Sequence, residues 1–148
     1  MISELIDDIS DSFNKNDLRT LILFVTNRCN LKCYFCCYKD SLNSTKDIPF
    51  EAFEKMARSI PRLKSLLVSG GEPYLREDLY DIVSLFVKHC GARFISVPNN
   101  GFFTDRVLTQ TQKFLDREKH AFLTLLFSID GLAETHDGIR GMKGSHER

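Results

Sequence analysis

The sequence predicts a parallel α/β fold from the order of its apolar and amphipathic segments. Four apolar runs have the length and composition of buried strands; they lie at about residues 21–26, 63–69, 93–97 and 122–129. Three segments with helical periodicity alternate with them, at about residues 50–59, 78–90 and 104–118. Polar or glycine-rich residues follow each strand. Because parallel α/β proteins place their chemistry at the carboxyl ends of the strands, we expect one functional site there.

A further helix is predicted ahead of the first strand. Apolar residues at three- and four-residue steps form one face of it: Ile2, Leu5, Ile6, Ile9 and Phe13. We therefore divide the chain into an N-terminal helix and linker, residues 1–18, and a core domain, residues 19–148. The run at residues 21–26 shows no polar alternation, so we expect that strand to be buried on both faces.

Local signals mark the ends of the other elements. Asp47 supplies a capping side chain, and Pro49 a first-turn proline, for the helix predicted at residues 50–59. Gly91 is a C-cap signal for the next helix, and Pro98 closes the third strand. The last four residues, 145–148, are predicted to be the cap and first turn of another crossover helix.

Composition and charge exclude several classes of protein. The chain has 148 residues, of which 43% are hydrophobic and 27% charged, and its formal net charge is zero. We therefore expect a folded domain with no affinity for nucleic acid or an anionic membrane. No apolar stretch reaches the roughly 18 residues of a spanning helix, and the acidic N-terminus lacks a secretory pattern. Five cysteines, crowded mainly at one place, indicate metal ligation in a reducing compartment, so we predict a cytoplasmic protein.

Three cysteines follow the first strand with the spacing C-x3-C-x2-C: Cys29, Cys33 and Cys36. Thiolates this close can bind one soft metal centre if the loop wraps around it. A [4Fe–4S] cube held by three of them keeps one iron open to a small molecule. Zinc is the alternative, but a structural zinc site requires four ligands. Cys37 would have to be the fourth, and adjacent cysteines rarely both bind one ion, so we expect Cys37 to be a free thiol.

The cysteine spacing, with Phe35 directly before the third cysteine, resembles the motif of radical S-adenosylmethionine (radical SAM) enzymes. Three more segments match that family in order: residues 69–73 (SGGEP), 98–101 (PNNG) and 128–131 (SIDG). The last continues into ETHDGIRG at residues 134–141. This run resembles the branch of molybdenum-cofactor cyclases, anaerobic sulfatase maturases and peptide-modifying enzymes. The resemblance implies a partial (β/α) barrel. That core usually has six β/α units and about four are visible here, so we expect the chain to be its N-terminal part.

The resemblance also assigns residues to two cofactors. It implies that Cys29, Cys33 and Cys36 hold a [4Fe–4S] cluster. It implies that S-adenosylmethionine is contacted by a second set of residues: Phe35, Gly70, Gly71, Glu72, Asn100, Ser128 and Asp130. Within that set, Phe35 lies near the adenine, and the strand-end glycines with Glu72 meet the ammonium group.

Simpler interpretations remain open for several of these positions. Phe35 is alternatively a hydrophobic plug over the loop, and Gly70-Gly71 is alternatively a plain strand-to-helix turn. Asn100 precedes a glycine, and Asn-Gly is a common turn. No role is assigned to His136, Asp137 and Arg140, for which a solvated loop or the start of a helix is the default expectation.

The resemblance implies a radical reaction. A reduced cluster would pass one electron to S-adenosylmethionine, giving methionine and a 5′-deoxyadenosyl radical that takes a hydrogen atom from a peptide, protein or small metabolite. The electron would come from a flavodoxin- or ferredoxin-like reductant. Because substrate-contacting groups usually lie in later strands, we expect the isolated chain to turn over poorly. The alternatives are a non-catalytic iron–sulfur module for electron transfer or redox sensing, and a zinc-stabilised interaction domain.

Overall fold

The computed structural model describes residues 18–148, and the helix predicted over residues 2–13 lies outside them. Four parallel strands form one sheet in the order β1-β2-β3-β4: β1 (Leu18–Thr26), β2 (Leu63–Gly70), β3 (Phe94–Asn99) and β4 (Phe122–Phe127). Four helices alternate with them: α1 (Phe50–Ser59), α2 (Leu79–Cys90), α3 (Thr104–Arg117) and α4 (Ala133–Arg140). A short 3-10 helix spans Pro73–Leu75. The predicted parallel α/β partial barrel is confirmed.

The hydrophobic core lies between one face of the sheet and the helices. Alternate strand residues supply the sheet side of the core: Leu23, Val25, Leu66, Val68, Ile95 and Val97. The helices contribute the opposing side chains: Phe53 and Ala57 of α1, Ile82, Val83 and Phe86 of α2, and Val107 and Phe114 of α3. Burial of these apolar groups fixes the sheet against the helices and so fixes the positions of the strand ends.

The prediction that β1 is buried on both faces is wrong. Ile22 and Phe24 are 53% and 48% exposed, whereas Leu23 and Val25 between them are buried. Successive side chains of a strand point to opposite faces, and the helices α1, α2 and α3 bury only one of them. The last strand, β4, is also more exposed than predicted: none of its residues is buried, and the neighbours Leu126 and Phe127 are both exposed. It ends at Phe127 rather than at residue 129.

Two predicted boundaries are also wrong. Pro49, not Asp47, is the N-cap of α1, and no side chain caps this helix. Asp47 instead accepts a hydrogen bond from the Thr26 hydroxyl and forms an ion pair with Arg28, 2.6 Å away. Pro98 does not end β3: the pairing of β3 with β2 stops at Ser96, but its pairing with β4 continues through Pro98 to Asn99. Gly91 is the left-handed C-cap of α2, as predicted.

Helix α4 was predicted only as one of two alternatives, the start of a helix or a solvated loop around residues 136–140. Residues 145–148 form turns rather than the expected start of a helix. The buried residues of α4 are His136 and Arg140, which are polar, so the helix has no apolar periodicity in the sequence. Gly141 ends it in the left-handed conformation. Across the described range 18–148, none of the helices combines the length and apolarity that crossing a membrane requires.

Candidate functional site

A cavity of about 420 Å³ lies at the carboxyl ends of the strands. This volume is within the roughly 300–1,000 Å³ typical of small-molecule sites. Its wall includes all three predicted cluster cysteines and six of the seven residues predicted to contact S-adenosylmethionine: Cys29, Cys33, Cys36, Phe35, Gly70, Gly71, Glu72, Asn100 and Ser128. Asp130 does not line it. The structure thus brings together residues from four separate strand ends.

The cysteine loop, residues 29–36, forms one wall of this cavity. Its three cysteines are free thiols at intermediate exposure. The Asn43 side chain makes two hydrogen bonds to the main chain of Cys29, each 3.1 Å long. Its oxygen accepts from the N–H, and its nitrogen donates to the carbonyl. Burial raises the pKa of the Cys29 thiol, although an N–H from Leu31, 3.4 Å from the sulfur, opposes the rise. The loop therefore has a fixed base and thiols that face a cavity.

Within residues 18–148, no group of three or more His, Cys, Asp or Glu side chains is arranged to hold a single metal ion. A [4Fe–4S] cube has a different requirement, since each cysteine binds a different iron at a different corner. Three separated thiols along one cavity wall fit that requirement. Cys37 is exposed beside them, and Cys90 is buried, where its thiol donates to the Ala57 carbonyl.

The end of β2 supports the start of the cysteine loop through Gly70 and Gly71. Gly70 has a φ of +146°, and a Cβ there would lie 2.4 Å from the Thr26 carbonyl oxygen. A Cβ at Gly71 would lie 2.2 Å from the carbonyl oxygen of Arg28. The amides of Gly71 and Glu72 donate to those same two carbonyls, at 2.8 and 2.7 Å. Only glycine allows the two backbones to pair this closely.

Glu72 is the buried carboxylate of the site, with 2% of its surface exposed. One of its oxygens accepts from the Tyr74 amide at 3.1 Å, and the other accepts from the Asn100 amide at 2.9 Å. Burial raises its pKa to about 7, and the two amide donors only partly offset that rise. The carboxylate therefore joins the ends of β2 and β3 while it also lines the cavity.

Asn100 and Ser128 bring the ends of β3 and β4 to the same cavity. The Asn100 side chain donates a hydrogen bond of 2.9 Å to the Asn30 side chain of the cysteine loop, and it accepts one from the Phe102 amide. The amide of Ser128 donates to the Asn99 carbonyl, which continues the pairing of the two strands past β4. Asn100 thus both makes a turn and contacts the cysteine loop.

Neither of the two expectations for Arg140, a solvated loop or the start of a helix, is correct. Arg140 is the last residue of α4, is 9% exposed and lines the cavity. Its Nη1 lies 3.7 Å from the Cys33 sulfur, and its guanidinium lies 5.7 Å from the centre of the Phe35 ring. Its Nε lies 2.6 Å from the Asp130 carboxylate, so Asp130 pairs with Arg140 and does not line the cavity. Phe35 is itself 61% exposed. Only the ETHDGIRG motif pointed towards Arg140 in the sequence.

For His136 and Asp137 the expected start of a helix is correct and the expected solvated loop is not, because His136 lies in the first turn of α4 and Asp137 follows it. His136 is buried, and its Nδ1 accepts from the Asp130 amide at 3.3 Å. Asp137 binds the residues after α4: its carboxylate accepts from the amides of Gly144 and His146 and from the Ser145 hydroxyl. The Gly144 amide is the main cause of a lowered pKa at Asp137. Both residues stabilise the segment that carries Arg140.

The chain is similar to several curated enzymes. It is 33% identical over 144 residues to the Fe-coproporphyrin III synthase of Methanosarcina barkeri, covering 91% of this chain and 33% of that protein. It is 32% identical to the pre-heme d1 synthase of Dinoroseobacter shibae, over 84% of this chain and 30% of that one. It is 31% identical to the GTP 3′,8-cyclase of Staphylococcus carnosus, over 85% of this chain and 38% of that protein. The chain thus spans about a third of the length of these relatives.

The fold is also similar to a solved structure, that of Streptococcus suis SuiB. The TM-score is 0.61 at 18% sequence identity, and the match covers 89% of this chain and 29% of SuiB. The family model of the Radical SAM superfamily matches residues 23–148, which include every strand end that lines the cavity. The chain therefore belongs to the radical SAM superfamily, whose members are enzymes that use a [4Fe–4S] cluster and S-adenosylmethionine.

Proposed function

We propose that Cys29, Cys33 and Cys36 hold a [4Fe–4S] cluster and that S-adenosylmethionine binds in the adjoining cavity. The observation that carries this proposal is the convergence of the three thiols and four strand ends on one cavity of about 420 Å³. When bound, the pair supplies a one-electron cleavage of S-adenosylmethionine into methionine and a 5′-deoxyadenosyl radical, which takes a hydrogen atom from the substrate.

In this proposal the chain's own residues bind and orient the cluster and S-adenosylmethionine and shield them from water. The cysteine loop presents its thiols from a base that Asn43 fixes. Glu72 offers the cationic end of S-adenosylmethionine a carboxylate whose position the amides of Tyr74 and Asn100 fix. Asn100 and Ser128 offer polar groups from the opposite side of the cavity, and Phe35 offers an aromatic surface. Asp130 acts indirectly, through the ion pair with Arg140.

The electron donor and the substrate belong to the same proposal. The donor is an external one-electron reductant of the flavodoxin or ferredoxin class, and the substrate is a peptide, protein or small metabolite. The relatives' names refer to different compounds, among them Fe-coproporphyrin III and GTP. The portion that they share with this chain is the portion with the cysteine loop and the cavity, so we assign cofactor binding rather than substrate choice to residues 18–148.

Anaerobic reconstitution with iron and sulfide tests the proposal. We expect the wild-type chain to bind about four irons, and we expect C29A, C33A and C36A each to lose that iron. C37A is the matched control, because Cys37 is exposed in the same loop and should leave the iron unchanged. If the wild-type protein bound no iron, or if the C33A variant kept its iron, the assignment of the cluster would be wrong.

Addition of S-adenosylmethionine and dithionite separates the enzyme from an electron-transfer module. We expect methionine and 5′-deoxyadenosine from the reconstituted wild type at a low rate, and none from C33A. Retained iron with no binding of S-adenosylmethionine, measured by equilibrium dialysis, would instead favour the non-catalytic iron–sulfur module. Both measurements use the whole chain.

A further inference from the structure

Arg140 contacts the cysteine loop through both its main chain and its side chain. Its carbonyl accepts from the Lys32 amide at 3.2 Å, and the neighbouring carbonyl of Ile139 accepts from the Tyr34 amide at 2.8 Å. The last carbonyls of a helix have no partner within the helix. Here the cysteine loop supplies two of the missing donors, so the C-terminal end of α4 and the loop are joined on either side of Cys33.

The side chain of Arg140 is fixed between a carboxylate and a thiol. Nε lies 2.6 Å from Asp130 Oδ2, although the N–H is not aligned with that oxygen as a hydrogen bond, and Nη1 lies 3.7 Å from Cys33 Sγ. A guanidinium is planar, keeps its charge at all relevant pH values and presents five donors in a rigid fork. It can therefore contact an oxygen on one edge and a sulfur on another at the same time.

A buried positive charge beside a cysteine sulfur has a definite electrostatic effect. Charges interact more strongly in the protein interior than in water, and Arg140 is nearly buried. A cluster becomes more negative when it is reduced, so an adjacent cation and an N–H donor to a ligand sulfur stabilise the reduced form. A cluster bound by Cys33 would therefore have a higher reduction potential with Arg140 than without it.

We propose that Arg140 is a positioning residue that fixes the cysteine loop through Cys33 and raises the reduction potential of the bound cluster. Asp130 orients the guanidinium and partly offsets its charge. The effect on the potential depends on the proposed cluster, whereas the positioning of the loop does not. The two parts are therefore tested on different forms of the same chain.

Hydrogen exchange of the cluster-free chain tests the positioning. We expect R140M to speed exchange of the Lys32 and Tyr34 amides about tenfold, which corresponds to roughly 1.4 kcal/mol. R140K should also speed it, because an ammonium cannot contact Asp130 and Cys33 together as the fork does. R117M is the matched control, since Arg117 pairs with Asp81 at 2.7 Å on the helix side of the sheet and should leave both amides unchanged. Wild-type exchange rates in R140M would overturn the positioning role.

Redox titration of the reconstituted chain, followed by electron paramagnetic resonance, tests the effect on the potential. We expect R140M to shift the potential to more negative values and D130N to shift it to more positive values, because one variant removes a cation and the other an anion. R140K should stay closer to wild type than R140M does. If Arg140 and Asp130 formed only a structural pair, both variants would shift the potential in the same direction or leave it unchanged, and either result would overturn this part.

If the wild-type chain binds no iron, the proposed function fails, and the exchange experiment still decides the positioning role. Should R140M not reach the wild-type circular dichroism spectrum, R140Q replaces it in both measurements, because glutamine removes the charge and keeps a polar side chain. R140K can replace it only in the exchange measurement.

Discussion

The cysteine loop is fixed in similar ways at two places, by parts of the chain that lie far apart in sequence. We call the place where the loop leaves β1 its start, and the contact at Lys32 its end. At the start of the loop, Gly70 of β2 places its backbone against the Thr26 carbonyl, at a φ of +146°. Further along the loop, Gly141 after α4 places its backbone against the Lys32 carbonyl, at a φ of +67°. In each case a glycine leaves no room for a Cβ, so the loop is held by main chain on both sides.

The two contacts differ in how strictly each position requires a glycine. The left-handed region near +67° is open to other residues at a modest cost, whereas a φ of +146° is rarely adopted by any residue with a Cβ. The start of the loop is also joined to a neighbouring strand by amide hydrogen bonds to the carbonyls of Thr26 and Arg28. We therefore expect the start of the loop to tolerate substitution less well than its end.

The largest expected effect is that of G70A. Backbone strain of roughly 1–3 kcal/mol and a comparable cost for the overlap with the Thr26 carbonyl together lower the free energy of unfolding by about 4 kcal/mol. Urea unfolding followed by circular dichroism measures it. G138A is the control, because a Cβ at Gly138 in α4 meets no atom within 4 Å. That variant should be more stable than wild type by about 0.5–1 kcal/mol. A G70A chain as stable as G138A would contradict the comparison.

The sequence predicted the start of the loop better than its end. The strands, the cysteines and the glycine pair each have a local pattern, and the resemblance to the radical SAM family assigned Gly70, Gly71 and Glu72 to the site beforehand. Arg140 could not be placed, since its partner Cys33 lies more than a hundred residues earlier and α4 has no apolar stripe. The exposed face of β1 was also missed, because an apolar run does not reveal which faces the helices cover.

Glu72 gives the start of the loop a pH dependence. No cation lies within ion-pair distance of Glu72 in the part of the chain that the structure describes, whereas Asp130 at the other end pairs with Arg140. Burial raises the pKa of Glu72 from 4.5 to about 7. A carboxyl with a raised native pKa stabilises the fold fully below its unfolded pKa and loses that contribution as the pH rises through its native pKa.

We therefore expect the free energy of unfolding of the wild type to fall by up to about 3 kcal/mol between about pH 4.5 and pH 7.5, since one pKa unit corresponds to about 1.4 kcal/mol. Urea unfolding of E72Q across this range should show a flatter profile. D47N is the control. Burial opposes ionisation of Asp47, but hydrogen bonds from Thr26 and Arg28 outweigh it and lower the pKa, so Asp47 stays ionised throughout this range. A slope in E72Q equal to that of wild type would contradict the assignment.

The smallest of the three expected effects is that of G141A. It separates the backbone strain at a left-handed glycine from the contact between that glycine and the end of the cysteine loop. Gly91 and Gly141 have nearly the same φ, +70° and +67°, but a Cβ at Gly91 meets nothing within 4 Å, whereas one at Gly141 lies 2.5 Å from the Lys32 carbonyl oxygen. G91A therefore measures the backbone strain alone, about 1 kcal/mol. G141A adds the overlap with the loop, so its loss of stability should be larger by about 2 kcal/mol. If the two variants were destabilised equally in urea, the contact between α4 and the cysteine loop would contribute nothing to stability, and the loop would be held from its start alone.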